Sequence, residues 1–119
     1  MRRTKLLTIE FHAALELALG AALILVPYAI GLAPAAIMVG IATGAILAGL
    51  AISGSDPASR GGLPLSAHVT YDWAIGTALL CAGIVLGLAV GSGALIFFLA
   101  AGLAELTLAA STSYRPTRT

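Results

Sequence analysis

The segment His12-Ala-Ala-Leu-Glu-Leu-Ala-Leu-Gly20 decides the architecture of this chain, because its pattern returns 56 residues later as His68-Val-Thr-Tyr-Asp-Trp-Ala-Ile-Gly76. Each copy places a histidine, a carboxylate and a glycine four residues apart within an otherwise apolar segment. The same offset relates Gly31 to Gly87. This repeated pattern indicates two tandem repeats, each of which carries one histidine–carboxylate pair.

The composition places the chain in a lipid bilayer. Its 119 residues are 60% hydrophobic and only 9% charged, and the mean hydropathy is +1.05. Soluble globular domains are typically about a quarter charged. We therefore expect an integral membrane protein. The net charge of +1 provides no basic field for binding nucleic acid, so we expect no nucleic-acid partner.

Four apolar segments are each close to the ~20 residues that cross ~30 Å of hydrocarbon as a helix. They cover residues 7–31, 35–53, 66–90 and 93–111. Helices are favoured over strands by segment length, by the four-residue spacing of polar and small positions, and by the need to satisfy every backbone group within lipid. The predicted fold class is an all-α membrane protein with four transmembrane helices.

Turn-forming residues divide the chain into two hairpins. Pro27 and the stretch 31–34 are predicted to end the first span and start the second, and 91–93 joins the third to the fourth. Such short connections favour antiparallel neighbours. The predicted organisation is a first hairpin repeat at 1–53, a polar linker at 54–65, a second hairpin repeat at 66–111 and a polar tail at 112–119.

The positive residues predict the orientation. Neither hairpin tip carries a lysine or arginine, and the six such residues are Arg2, Arg3, Lys5, Arg60, Arg115 and Arg118. The positive-inside rule then places both termini and the linker in the cytoplasm, at the inner membrane. Two hairpins that enter from the same side are parallel repeats, related by a pseudo-two-fold axis along the membrane normal.

The repeated polar residues predict a buried cluster. Residues four positions apart share a helix face, so His12 and Glu16 lie one turn apart on one face, and His68 and Asp72 do the same on another helix. An ionisable side chain that faces lipid is costly, so both faces should turn inward toward each other. Glu105 on the fourth span is expected at similar depth. The predicted cluster therefore holds two imidazoles and three carboxylates.

Small residues predict where the helices touch. Four-residue stripes of small side chains let membrane helices approach closely. One stripe runs through Ala36, Gly40, Gly44 and Ala48, and another through Gly83, Gly87 and Gly91. We expect the second and third spans to pack through these stripes, and Gly20 and Gly76 to let the polar faces approach. The same stripes fit a homo-oligomer or a membrane-protein partner equally well.

Three roles fit the polar cluster. We favour a structural clamp, in which His–carboxylate pairs fix how the hairpins dock in a structural or interaction component of the membrane. A second role is a metal site for Zn, Mn or Fe, or a haem held by two opposed histidines. A third is proton or small-ion movement, since imidazole titrates near 6.5 in water. No motif of a soluble enzyme is found, so the sequence does not favour an enzyme.

These motifs together resemble the SPW-repeat proteins, small bacterial membrane proteins built of two tandem two-helix units. In that family a histidine and an acidic residue open each unit, as His12 and His68 do with their carboxylates here. A Ser-Pro-Trp sequence ends the first helix, where this chain has Val26-Pro27-Tyr28, and the second unit reads Ala82-Gly83-Ile84. The family's Gly-Leu-x-Glu stretch matches Gly102-Leu-Ala-Glu-Leu106. The resemblance implies the fold and a bacterial inner membrane, and it implies no activity.

Overall fold

A computed structural model describes residues 7–54 and 65–112. It contains four helices, α1 (Ile9–Ala29), α2 (Pro34–Gly54), α3 (Leu65–Val90) and α4 (Ser92–Ser111). The four predicted helices are confirmed, and each has the length and hydropathy to cross a membrane. The predicted linker and tail fall almost wholly outside the described residues, as do all six lysines and arginines that predicted the orientation.

The ends of α1 follow local capping rules. Thr8 precedes the helix, and its hydroxyl oxygen accepts a hydrogen bond from the Phe11 N–H at 3.2 Å. At the other end Gly31 has a φ of +76°, a conformation that glycine adopts without strain. This bend lets the Leu32 N–H donate to the Pro27 carbonyl at 2.9 Å, which closes a Schellman turn. The turn leads into α2 within four residues.

The stretch 31–34 joins α1 to α2 as predicted, whereas Pro27, which was expected to help end the first span, lies inside α1 two residues before its end. The helix continues to Ala29 because the Schellman turn satisfies the carbonyls of the last turn. Proline has no N–H to donate to the carbonyl four residues earlier, which is that of Leu23. That carbonyl faces Gly40 on α2, where a Cβ atom would clash with it. The missing helical bond and the close approach of α2 therefore occur at the same place.

The four helices form a bundle in which α1 and α3 lie on opposite corners. Packing is most extensive within the hairpins α1–α2 and α3–α4, and the hairpins meet along α2–α3 and α1–α4. Leu23, Leu47, Leu79 and Phe98 are fully buried in the core. Large apolar side chains cover the outer surface, among them Leu25, Met38, Leu88, Ile96 and Leu103. An apolar exterior around a core that contains charged groups is the arrangement expected in lipid.

The glycine stripes pack within each hairpin. On α1 and α2, Cβ atoms added to Gly20 and Gly44 would lie 2.9 and 2.5 Å from the carbonyl oxygen of the other residue. On α3, a Cβ at Gly76 or Gly87 would approach Leu106 or Leu95 of α4, and Gly83 faces Leu99 in the same way. The prediction that the stripes join α2 to α3 is wrong. The short turns hold each antiparallel pair together along its whole length, so the closest backbone approach occurs there.

We expect Gly44→Ala to destabilise the fold by about 1–3 kcal/mol, because the new methyl group would meet a backbone oxygen that has no rotamer to change. Gly49→Ala is the matched control on the same helix, since nothing lies within 4 Å of a Cβ at Gly49. Thermal unfolding in detergent measures both. Equal midpoints for the two variants would contradict the close approach of α1 and α2.

Candidate functional site

The predicted histidine and carboxylate residues meet in the interior of the bundle, near the end where α1 and α3 begin. His12 and Glu16 come from α1, and His68 and Asp72 come from α3 on the opposite corner. All four side chains are buried. One ligand atom from each can be chosen so that the four atoms lie within 4.8 Å of one another. We call these four residues the quartet.

The quartet is joined by contacts within and between the hairpins. His12 Nε2 lies 3.2 Å from Glu16 Oε2 on its own helix and 3.0 Å from Asp72 Oδ2 across the bundle. His68 Nε2 lies 3.4 Å from Asp72 Oδ2 on its own helix and 3.4 Å from Glu16 Oε1 across the bundle. The centroids of the two imidazole rings are 5.9 Å apart. Each imidazole therefore contacts both carboxylates, and each carboxylate contacts both imidazoles.

Glu105 of α4 adds a third carboxyl group to the quartet. It is fully buried beside the carboxylates of Glu16 and Asp72. No N–H or hydroxyl group in the described part of the chain donates to either of its oxygens. Two imidazoles can carry at most two positive charges against three carboxylates. The site therefore needs a further proton or a metal cation to reach neutrality.

Thr112 was missed by the sequence analysis. Its hydroxyl donates to the Leu108 carbonyl at 2.6 Å, so its oxygen accepts from the Nδ1–H of His12 at 2.7 Å. This assigns the Nδ1 proton of His12 and leaves Nε2 facing the carboxylates. Thr112 directly follows α4 and lies seven residues, about two helical turns, after Glu105. That seven-residue spacing is the signal that could have identified it.

All buried ionisable groups of the described residues lie at one end of the bundle, where α1 and α3 begin and α4 ends. A backbone hydrogen bond from the Leu7 N–H to the Ser111 carbonyl closes the same end at 3.1 Å. Beyond Gly20 and Gly76, the buried side chains that the structure describes are apolar. This distribution favours a local role over proton or ion transfer through the whole bundle.

The geometry also bears on haem binding by the two histidines. A porphyrin held by His12 and His68 would have to pass between the two Nε2 atoms. The carboxylates of Glu16 and Asp72 occupy this space, in contact with both nitrogens. The arrangement therefore fits a small cation better than a haem.

Comparison with known proteins adds no family to these observations. No protein-family model, curated protein or solved structure matches the chain. The functional interpretation depends on the geometry of the quartet, Glu105 and Thr112.

We expect Thr112→Val to lower stability by about 1–2 kcal/mol, because the Nδ1–H of buried His12 loses its acceptor. Thr77→Val is the matched control, since the Thr77 hydroxyl is exposed and bonds only the Trp73 carbonyl of its own helix, at 2.9 Å. Thermal unfolding in detergent compares the two variants. A loss for Thr77→Val as large as that for Thr112→Val would contradict this role of Thr112.

Proposed function

We propose that this chain is a structural or interaction component of a membrane, whose quartet docks its two hairpins. The observation that carries the proposal is the pair of contacts across the bundle, from His12 to Asp72 at 3.0 Å and from His68 to Glu16 at 3.4 Å. Lipid tails are as apolar as the helix surfaces, so interhelical polar contacts and close packing hold membrane helices together. Here the polar contacts join the two hairpins.

Packing and polar contacts have different roles in this proposal. The close backbone approach between Gly20 and Gly44 lies within the first hairpin. The side-chain hydrogen bonds and ion pairs between described parts of the two hairpins involve the quartet and the bond from His12 to Thr112. Glycine packing would thus form each hairpin, and the quartet would fix how one hairpin is placed against the other.

Matching environments support the proposal that the hairpins are tandem repeats about a pseudo-two-fold axis. Gly44 of α2 approaches the Gly20 carbonyl, and Gly102 of α4 approaches the Gly76 carbonyl. If these contacts are equivalent, the offset is 56 residues between α1 and α3 and 58 between α2 and α4. Leu47 is then the counterpart of Glu105, and both are fully buried. The proposed repeats would differ at this point, with an apolar side chain in one and a carboxyl in the other.

The proposed setting is a bacterial inner membrane with both termini in the cytoplasm. The orientation is supported by the six lysines and arginines, which all lie outside the hairpin tips. The bacterial setting is supported by the resemblance to SPW-repeat proteins, and membership of that family is part of the same proposal. The apolar exterior and the four spans require a bilayer in either orientation.

For the orientation, we expect cysteines introduced by Ala33→Cys and Ser92→Cys to react with a membrane-impermeant maleimide applied to intact cells. Both residues lie at the hairpin tips. The background carries Cys81→Ser, because Cys81 is exposed on the bundle surface. Reaction only after the cells are permeabilised would show the opposite orientation.

For the docking role, we expect a double-mutant cycle between His12→Ala and Asp72→Ala in detergent to give a favourable coupling energy of about 0.5–2 kcal/mol. The control cycle pairs Asp72→Ala with Glu10→Ala, since Glu10 is exposed on the same helix as His12. The control cycle should give a coupling energy near zero. Zero coupling for His12 with Asp72 would remove the basis of the proposed function.

A further inference from the structure

The quartet and Glu105 together hold more carboxyl groups than imidazoles, so acceptors and negative charges are in excess. The Glu16 and Asp72 carboxylates contact the two Nε2 atoms. The carboxyl of Glu105 is buried beside these two carboxylates, and both of its oxygens lack a donor among the described residues. With Nδ1–H of His12 committed to Thr112, a neutral His12 would direct the Nε2 lone pair toward Asp72 and Glu16. A lone pair that faces two carboxylates is repelled unless Nε2 carries a proton or a metal cation lies between the groups.

We propose that the quartet and Glu105 form a binding site for one divalent first-row transition-metal ion, of the Zn²⁺ or Mn²⁺ type. This inference rests on the proposed docking role, because it names the cation through which the four side chains would hold the hairpins together. The ion would bridge α1 and α3 through the quartet, and Glu105 would extend the site to α4.

The spacing of the quartet fits such an ion. Ligand bonds of about 2.0–2.2 Å separate neighbouring ligand atoms by about 2.8–3.1 Å in octahedral geometry and by about 3.3–3.6 Å in tetrahedral geometry. The four contacts between imidazole nitrogens and carboxylate oxygens measure 3.0–3.4 Å. One ligand atom from each residue already lies within 4.8 Å of the others. Small side-chain rotations would complete a shell around one ion.

The second contact of His12 fits a metal ligand. Metal-binding histidines donate the other ring N–H to an oxygen, which fixes the tautomer and the ring orientation. His12 Nδ1–H donates to the Thr112 hydroxyl, which is itself held by the Leu108 carbonyl. The ring is therefore positioned with Nε2 toward the proposed ion.

The ligand types select the class of metal. Two imidazoles with two or three carboxylates suit Zn²⁺, Mn²⁺ and Fe²⁺, whereas Mg²⁺ and Ca²⁺ prefer oxygen ligands alone. The single thiol of the chain, Cys81, is exposed on the outer surface and is not a member of the site. With both imidazoles neutral, a dication balances two of the three carboxylates and the third carboxyl keeps a proton, so the site reaches neutrality without two imidazolium ions.

The test uses the full chain, purified in detergent, treated with EDTA and dialysed. Zn²⁺, Mn²⁺ or Mg²⁺ is added, and bound metal is measured by elemental analysis after gel filtration. We expect about one equivalent of Zn²⁺ or Mn²⁺ per chain, little Mg²⁺, and an unfolding midpoint that rises with the concentration of the bound metal. Binding far below one equivalent for both transition metals, or equal binding of Mg²⁺, would overturn the proposal.

Variants locate the ion. We expect Asp72→Asn and His68→Asn each to weaken binding at least tenfold, and Thr112→Val to weaken it about tenfold through the orientation of His12. Asp72→Glu keeps a carboxylate and should retain binding. Glu10→Gln, which changes an exposed carboxylate on α1, is the control and should bind as the original chain does. A loss of binding in Glu10→Gln equal to that in Asp72→Asn would overturn the location.

The metal site and the docking role can fail separately. The double-mutant cycle of His12 with Asp72 is repeated in EDTA, where metal binding cannot contribute. Coupling in EDTA, with no metal bound by the original chain, would retain the docking role and reject the metal site. Metal binding without coupling in EDTA would show that the quartet joins the hairpins only through the ion. Hydrogen bonds and ion pairs among the four side chains would then not hold the hairpins together without it.

Discussion

In the proposed docking role, the arrangement of the two hairpins depends on the contacts between His12 and Asp72 and between His68 and Glu16. α1 and α3 lie on opposite corners of the bundle, so side chains that reach between them must cross its centre. Four buried ionisable side chains are tolerated in the interior because each imidazole contacts a carboxylate and each carboxylate contacts an imidazole. Loss of any one member would leave its contacts unmade in a buried site, so the proposed docking role makes every member necessary for the placement of the hairpins.

The rest of the structure follows from the lipid environment. Moving an apolar side chain from lipid into the protein interior contributes little to the stability of the bundle, so close packing of the helix backbones contributes more. Gly20 and Gly44 give this approach within the first hairpin, and Gly76 and Gly102 give it within the second. The polar groups are concentrated at one end, where α1, α3 and α4 meet, and Thr112 orients His12 there. Glu105 makes the cluster unequal, because three carboxyl groups and two imidazoles reach neutrality only with a further proton or a bound metal cation.

The sequence predicted the helices and the members of the cluster, because hydropathy and four-residue spacing are local properties of the chain. His12, Glu16, His68 and Asp72 were expected on inward faces, and the structure buries all four. The partner of each glycine stripe was predicted incorrectly, since a stripe shows that a helix is approached but not by which neighbour. Thr112 was missed because a threonine near a helix end has many ordinary roles, and only the position of the His12 ring distinguishes it.

The most direct test of the docking account is a distance across the bundle in lipid. The chain is labelled with ¹⁵N-histidine and ¹³Cγ-aspartate in an Asp56→Asn background, which leaves Asp72 as the single labelled aspartate. Solid-state NMR then measures the dipolar coupling between Asp72 Cγ and the nitrogens of each histidine ring. The account expects both His12 and His68 to show the strong coupling of a nitrogen to carbon distance near 4 Å. Coupling to His68 alone, its neighbour on α3, would contradict it.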